Sequence, residues 1–312
     1  MKKIALIVSA ISAALFASAT AKADVSVSGS AGLGYVSGNG AGSSKAYNGG
    51  AMEFGLSSDL GNGVVVSTSA GISLDSNDAA TLGSVAATGL SNLTFATSGA
   101  TIEVGGDIDI AGDGVGEVGG VAGDLVDEGG YNSLGVSPGL SEEDGYGISV
   151  STAVGSGTIT ASYILDADGG ANNAATNDTA TATGFQVSLP MGPLSATIGF
   201  ASDDKNSENV SGGEIAYTVA GVGTITGGMS ETSDTTDEST WGVEYSGTLG
   251  GASLSVGYTN ASAGTAEWTR TEASISQSIG AGASVFLDIQ TASGVSATNP
   301  GTNLAIGTSF SF

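Results

Sequence analysis

The chain ends Asn303-Leu304-Ala305-Ile306-Gly307-Thr308-Ser309-Phe310-Ser311-Phe312, a two-residue alternation carried to the last side chain. Leu304, Ile306, Phe310 and Phe312 share one parity; Ala305, Gly307, Ser309 and Ser311 fill the other. Successive side chains of a strand point to opposite faces, so the bulky apolar groups lie on one face and the small and hydroxyl groups on the other. Terminal residues of soluble domains usually fray. Here the pattern predicts a strand running to the final carboxylate. A face of large apolar groups needs an apolar medium, and hydroxyls suit water. The segment reads as part of a barrel wall between lipid and a wet lumen.

Working back from it, the same alternation recurs at strand length along the chain. Examples are Val25/Val27/Ala31/Leu33/Tyr35, Ile159/Ala161/Tyr163/Leu165, Leu194/Ala196/Ile198/Phe200 and Leu254/Val256/Tyr258. Counting every run predicts sixteen strands, and the even number suits a closed single-chain bacterial barrel. Short turns are expected at 59–63, 98–100, 155–157, 190–193, 220–223, 248–251 and 279–283. Longer polar connections are expected at 36–50, 75–91, 108–145, 166–183, 201–212, 231–240, 259–269 and 291–302. Seven short and eight long connections, sorted to opposite ends, match the short periplasmic turns and long external loops of outer-membrane barrels. The predicted fold class is therefore all-β, a 16-stranded antiparallel transmembrane β-barrel. Only closure removes bare strand edges in lipid, so the first strand should pair with the last and bring Asp24 near the Phe312 carboxylate.

The N-terminus fits export. Lys2 and Lys3 precede the apolar stretch Ile4 to Phe16, and Ala21-Lys22-Ala23 offers a small-x-small cleavage site. Residues 1–23 are expected to be a signal peptide and 24–312 the barrel; an uncleaved anchor is the competing reading. Removal of the signal takes Lys2, Lys3 and Lys22, leaving Lys45, Lys205 and Arg270 against 31 acidic residues. Nucleic acid and anionic lipid need basic patches, which such a chain cannot supply. With no Cys and no His, disulfides, His-bearing zinc sites and His-dependent catalytic triads are excluded, and nothing selects a carboxylate pair for catalysis; no enzyme activity is expected. The 53 glycines, several inside strands (Gly29, Gly55, Gly71, Gly227), should weaken pairing, and the sequence gives no reason for them.

The chain resembles the general diffusion porins of Gram-negative bacteria, especially the alphaproteobacterial kind. The resemblance lies in Asp24-Val25-Ser26-Val27-Ser28-Gly29, in the run from Met52-Glu53-Phe54 to Asp59-Leu60-Gly61-Asn62-Gly63, in Gly105-Gly106-Asp107 and in the terminal Phe312. It implies an outer-membrane homotrimer of sixteen-stranded barrels, each narrowed by an inward-folded third loop. It also implies that the terminal strand, with Phe310 and Phe312, is the signal read by the outer-membrane assembly machinery. Such porins usually set a basic cluster opposite an acidic third loop. Three basic residues cannot build that transverse field.

Two sets of residues are candidates for function. The longest connection, with strand-end Asp107, holds Asp109, Asp113, Glu117, Asp124, Asp127, Glu128, Glu142, Glu143 and Asp144. A loop this long without secondary structure of its own is usually functional, and its acids would form the pore constriction. The alternative is a solvated external loop. Strand parity gives the second set: Glu53, Glu103, Glu214, Glu244, Arg270, Glu272 and Asp288 are expected on the lumen wall. Arg270 beside Glu272 reads equally as a selectivity residue or as an ion pair at the rim. No cofactor is required; calcium is possible at Asp107, Asp109 and Asp113, although no EF-hand pattern is complete. Gly114-x-Gly116-x-x-Gly119 matches a dinucleotide fingerprint by letter but lacks the strand-to-helix context.

The function these features predict is passive diffusion of small hydrophilic solutes and ions, selective for cations, through a water-filled pore. A substrate-specific outer-membrane channel is an alternative. So is an exported adhesin or surface-layer protein, a soluble calcium-binding β-solenoid, which would need a fixed repeat that the sequence lacks.

Overall fold

The computed structural model describes residues 22–38, 44–61, 63–76, 84–121, 140, 144–166, 181–204, 207–233, 237–294 and 301–312. Its first half holds β1 (Lys22–Gly38), β2 (Lys45–Asp59), β3 (Val65–Ser76), β4 (Ser84–Leu90), β5 (Leu93–Ala96), β6 (Ala100–Asp109), β7 (Asp144–Val154) and β8 (Gly157–Asp166). The second half holds β9 (Ala182–Met191), β10 (Leu194–Asp203), β11 (Glu208–Val219), β12 (Gly223–Ser233), β13 (Glu238–Leu249), β14 (Ala252–Ala263), β15 (Ala266–Gly280), β16 (Ala283–Gly294) and β17 (Gly301–Ser311). Every pairing is antiparallel, and the sheet closes by pairing β1 with β17. The expected signal peptide lies outside the described residues except for Lys22 and Ala23, which already belong to β1.

Seventeen segments make sixteen wall positions, because β4 and β5 both pair with β3. The break between them falls at Ser91 and Asn92. The Ser91 N–H donates to Ser69 O at 2.8 Å. The Asn92 side-chain amide takes the place of a missing peptide: its Nδ2 donates to Asp107 O, and its Oδ1 accepts the Asp107 N–H at 3.2 Å. The wall is thus stitched where the backbone ladder fails, as a barrel in lipid requires.

Closure follows the alternation of the last strand. Ser30 to Gly38 run opposite Ser311 to Asn303, and Gly29 and Phe312 exchange both backbone hydrogen bonds at 3.0 Å. The expected meeting of Asp24 with the terminal carboxylate does not occur. Phe312 stops opposite Gly29, and β1 continues below it to pair Asp24 with Ser57 of β2.

Parity holds around the wall. Val25, Leu33, Ile198, Ile215, Leu287, Leu304 and Ile306 are exposed on the outer face, a display of large apolar groups that only lipid can cover. Inward-facing neighbours are hydroxyls that pair across strands, such as Thr160 with Ser151 and Ser188 with Thr197, both at 3.2 Å. Aromatics mark two levels. Tyr35, Tyr146, Phe200 and Trp241 sit toward the external ends, and Tyr217, Phe310 and Phe312 toward the ends with short turns. Trp241 and Tyr258 stack in a tilted pair with centroids 5.4 Å apart, and the Tyr245 hydroxyl donates to Val222 O at 3.0 Å at a short turn.

Several expected loops are instead strand. The connection expected over 259–269 is a tight turn at Gly264 and Thr265, because β14 and β15 extend past the lipid band. Likewise β4 occupies most of the second half of 75–91, and β10 and β11 take up all but residues 204–207 of 201–212. Above the membrane the outward face meets water, so polar residues there hide strand from any reading based on apolar alternation.

Candidate functional site

The site is built by the segment that follows β6. A bulge between Gly105 and Ile108 bends the end of β6, and the chain turns inward through Ile110 to Val121 instead of rising from the barrel. Ile108, Ile110 and Leu140 pack with Ile164, Ala182, Ala201 and Val210 in a buried cluster on the inner face. These wall residues hold the hydrophilic parity of their strands but are apolar, because here they face protein rather than water. Ala111 N–H donates to Ser162 Oγ at 2.7 Å, and Leu140 N–H donates to Asp113 Oδ1 at 3.1 Å.

From Ala111 the segment crosses seven strands. It passes Gly184 of β9, Gly199 of β10, Gly212 of β11, Gly228 of β12, Gly242 of β13 and Gly257 of β14, then reaches Glu272 of β15. Gly199 faces Gly212, Gly228 faces Gly242, and Gly257 faces Glu272 as direct cross-strand partners, so the path steps along the wall in register. Side-chain hydrogen bonds secure it. Thr259 Oγ1 donates to Val118 O at 3.0 Å, and the Gly119 backbone bonds the Glu244 carboxylate. Val121 N–H donates to Glu272 Oε2 at 2.6 Å.

Glu272 is 3% exposed, and its carboxylate is fully partnered there. Its Oε1 accepts from Gln290 Nε2 at 2.8 Å and pairs with Arg270 Nε at 2.8 Å. Arg270 is therefore part of the loop's anchorage on β15 and not a free charge. Glu272 and Asp288 face inward, as parity required, but both are buried and do not meet the lumen water. Glu53 is exposed, and Glu103, Glu214 and Glu244 are partly so, with Glu214 close enough to Glu244 for their charges to repel.

Glu103, Asp109, Asp113 and Glu117 converge on one recess of about 590 Å³, lined also by Ser149, Thr160 and Gln186. Of the expected constriction set, Asp109, Asp113 and Glu117 are thus brought together with wall residue Glu103. Asp107, exposed at the end of β6 beside Asn92, is not among the lining residues. Asp124, Asp127 and Glu128 lie outside the described residues. Among the described residues, no three acidic side chains gather into a group that could hold a metal ion.

The fingerprint-like glycines have a different purpose. Gly112, Gly114, Gly116 and Gly119 all adopt positive φ, between 67° and 107°, which lets the segment curl against the wall. Sequence reasoning missed Ser162, Thr259 and the wall glycines. A glycine recurring on the hydrophilic parity of successive strands was the available signal.

The arrangement is an inward-folded loop across a closed sixteen-stranded barrel, with hydroxyls and carboxylates inside and lipid-facing side chains outside. A family model described as Gram-negative porin matches residues 5–297. No curated relative matches the sequence. Among solved structures, an anion-selective porin from Comamonas acidovorans is similar at 13% identity, over 93% of this chain and 100% of that one, with a TM-score of 0.68. A variant of the Rhodopseudomonas blastica porin is similar at 15% identity and a TM-score of 0.65, covering 93% of this chain and 100% of its own. OmpT, an outer-membrane protein of Vibrio cholerae in trimer form, covers 93% of this chain and 99% of its own at 15% identity and a TM-score of 0.67. These likenesses speak for the fold, and the family match spans most of the chain. With wall, lumen and inward loop all in place, the chain belongs to the Gram-negative porins, diffusion channels of the bacterial outer membrane.

Proposed function

We propose that this porin conducts small hydrophilic cations in preference to anions, and that it works as a homotrimer. The observation behind the selectivity is the convergence of Glu103, Asp109, Asp113 and Glu117 on one recess beside the inward loop. Among the described residues, no basic wall opposes them. Of the three basic residues beyond the expected signal, Arg270 is tied to Glu272. Low-dielectric walls concentrate such a field and raise cation occupancy in the lumen. The Comamonas acidovorans porin is anion-selective. At 13% identity that speaks only to its own lumen, since the sign of selectivity follows the charges that line each pore. The trimer draws on the Vibrio cholerae protein, solved in trimer form, and delivery by the outer-membrane assembly machinery on the terminal Phe310 and Phe312 strand.

The test is the reversal potential of single channels in planar bilayers across a KCl gradient. A potential of the sign set by potassium supports the reading, and one set by chloride removes it. Chemical cross-linking of protein extracted in mild detergent tests the trimer, and a monomer as the limiting species would discard it.

A further inference from the structure

Six inward glycines, Gly184, Gly199, Gly212, Gly228, Gly242 and Gly257, sit one to a strand on β9 to β14, each with loop backbone against it. None of the six has a positive φ, so glycine is not there for backbone freedom. Space is the reason. A Cβ built at Gly199 would lie 2.6 Å from Gly112 O, and one at Gly228 would lie 2.6 Å from Gly116 O. At Gly184, Gly212, Gly242 and Gly257 it would overlap the carbonyl oxygens of Ala111, Val115, Val118 and Gly119 outright. Contacts this close leave no room for even one methyl group without moving the loop. The loop cannot move outward, because the wall is there. It can only move toward the lumen axis.

We propose that these glycines set the bore of the pore: by letting the loop backbone lie flat on the wall, they leave the rest of the cross-section open, and a side chain at any of them narrows it. The inference is independent of charge selectivity, since it concerns the width of the passage and not the sign of its field. The same strands provide controls. Gly213 and Gly227 sit one residue from the track on the outer face, and a Cβ there meets nothing nearer than 3.6 Å at Gly213 and 3.9 Å at Gly227.

The experiment compares Gly212→Ala, Gly242→Ala and their double variant with Gly213→Ala and Gly227→Ala. Single-channel conductance and the size cut-off for neutral polyethylene glycols are read beside the reversal potential. The track variants are expected to lose conductance, roughly twofold in the double variant, and to exclude smaller polymers while the sign of the reversal potential holds. The outer-face variants are expected to match the parent. Unchanged conductance and cut-off in the track variants would overturn the proposal. So would a rise in both, which would mean that the loop had been released from the wall.

If alanine prevents the barrel from forming, a second measurement decides with every glycine in place. The chain has no cysteine, so Thr259→Cys places a single thiol under the loop, where Thr259 is 5% exposed and donates to Val118 O. A water-soluble thiol reagent should react with it far more slowly than with Ser149→Cys, which lines the recess. Equal rates would mean that the loop does not lie flat on the wall and would overturn the proposal.

Discussion

Neutralising the recess by Glu103→Gln, Asp109→Asn, Asp113→Asn and Glu117→Gln should remove most of the proposed cation preference, and its size can be worked from the geometry. A recess of 590 Å³ has an equivalent radius of about 5 Å, so an ion near its centre lies about 6 Å from each carboxylate. In water, one unit charge at about 6 Å attracts another by roughly 1.2 RT, and a Debye length of about 8 Å at 0.15 M reduces this to roughly 0.55 RT. Four such terms give roughly 2.2 RT, about ninefold enrichment of a monovalent cation and equal depletion of an anion. At 1 M, with a Debye length of about 3 Å, the same sum gives only about twofold enrichment. The assay is the reversal potential across a tenfold KCl gradient in dilute salt. The parent should approach the Nernst limit for a monovalent cation, about 59 mV per decade, and the quadruple variant should fall well below half of it. Neutralising Glu231, Asp234, Asp237 and Glu238, in and around the connection between β12 and β13, should cost much less. A reversal potential that ignores the recess substitutions would refute the argument that these four acids face the ion path.

Three further outcomes follow from the wall and the loop. Ile198→Arg puts a cation on the lipid face in mid-strand and should cost about 2–4 kcal/mol in a denaturant titration of the refolded barrel, whereas Ser188→Arg, facing inward, should leave stability nearly unchanged and weaken cation preference; reversed effects would mean the register is off by one residue. Ile108→Ala empties a fully buried position between loop and wall and should cost about 2–5 kcal/mol, with faster limited proteolysis of the loop. Deleting Phe312 removes both hydrogen bonds that it exchanges with Gly29 and should lower the yield of heat-modifiable barrel on gels; full yield at native expression would count against the terminal strand's role.

The wall was legible in the sequence because lipid enforces a period of two. A charged group is costly outward in mid-membrane, so Leu304, Ile306 and Ile198 announced their face, and Glu53, Glu103, Glu214 and Glu244 announced theirs by exclusion. The same rule says nothing about depth beneath a loop. Glu272 and Asp288 have the parity of lumen residues and yet are buried, Glu272 under the Val121 backbone, which arrives from far along the chain. It also lapses above the membrane, which is why the hairpin around Gly264 and Thr265 read as a long loop. Alternation reports the solvent on either side of a strand, and where both sides are wet or both are protein it has nothing to report.

The path of the inward loop was illegible for a different reason. Its contacts with the wall run largely through backbone atoms, such as Val115 O against Gly212 and Val118 O against Gly242, and backbone carries no sequence signature of its own. What the sequence does record is the space such contacts need. Gly199, Gly212, Gly228, Gly242 and Gly257 fall on the hydrophilic parity of five consecutive strands, where a lumen wall has no reason to prefer glycine over serine or threonine. Gly213 and Gly227, beside them, fall on the other parity, and a Cβ at either meets no loop atom. Sorting glycines by parity before asking what they are for would have separated a track from a background and shown that some backbone runs along the inside of β9 to β14. It could not have shown which segment. That follows only from the short reach of the Gly-rich run after β6, whose Gly112, Gly116 and Gly119 come as close to the wall as the wall glycines come to it. Where Gly112 meets Gly199, Gly116 meets Gly228 and Gly119 meets Gly257, glycine faces glycine, so neither partner can be replaced without shifting the other.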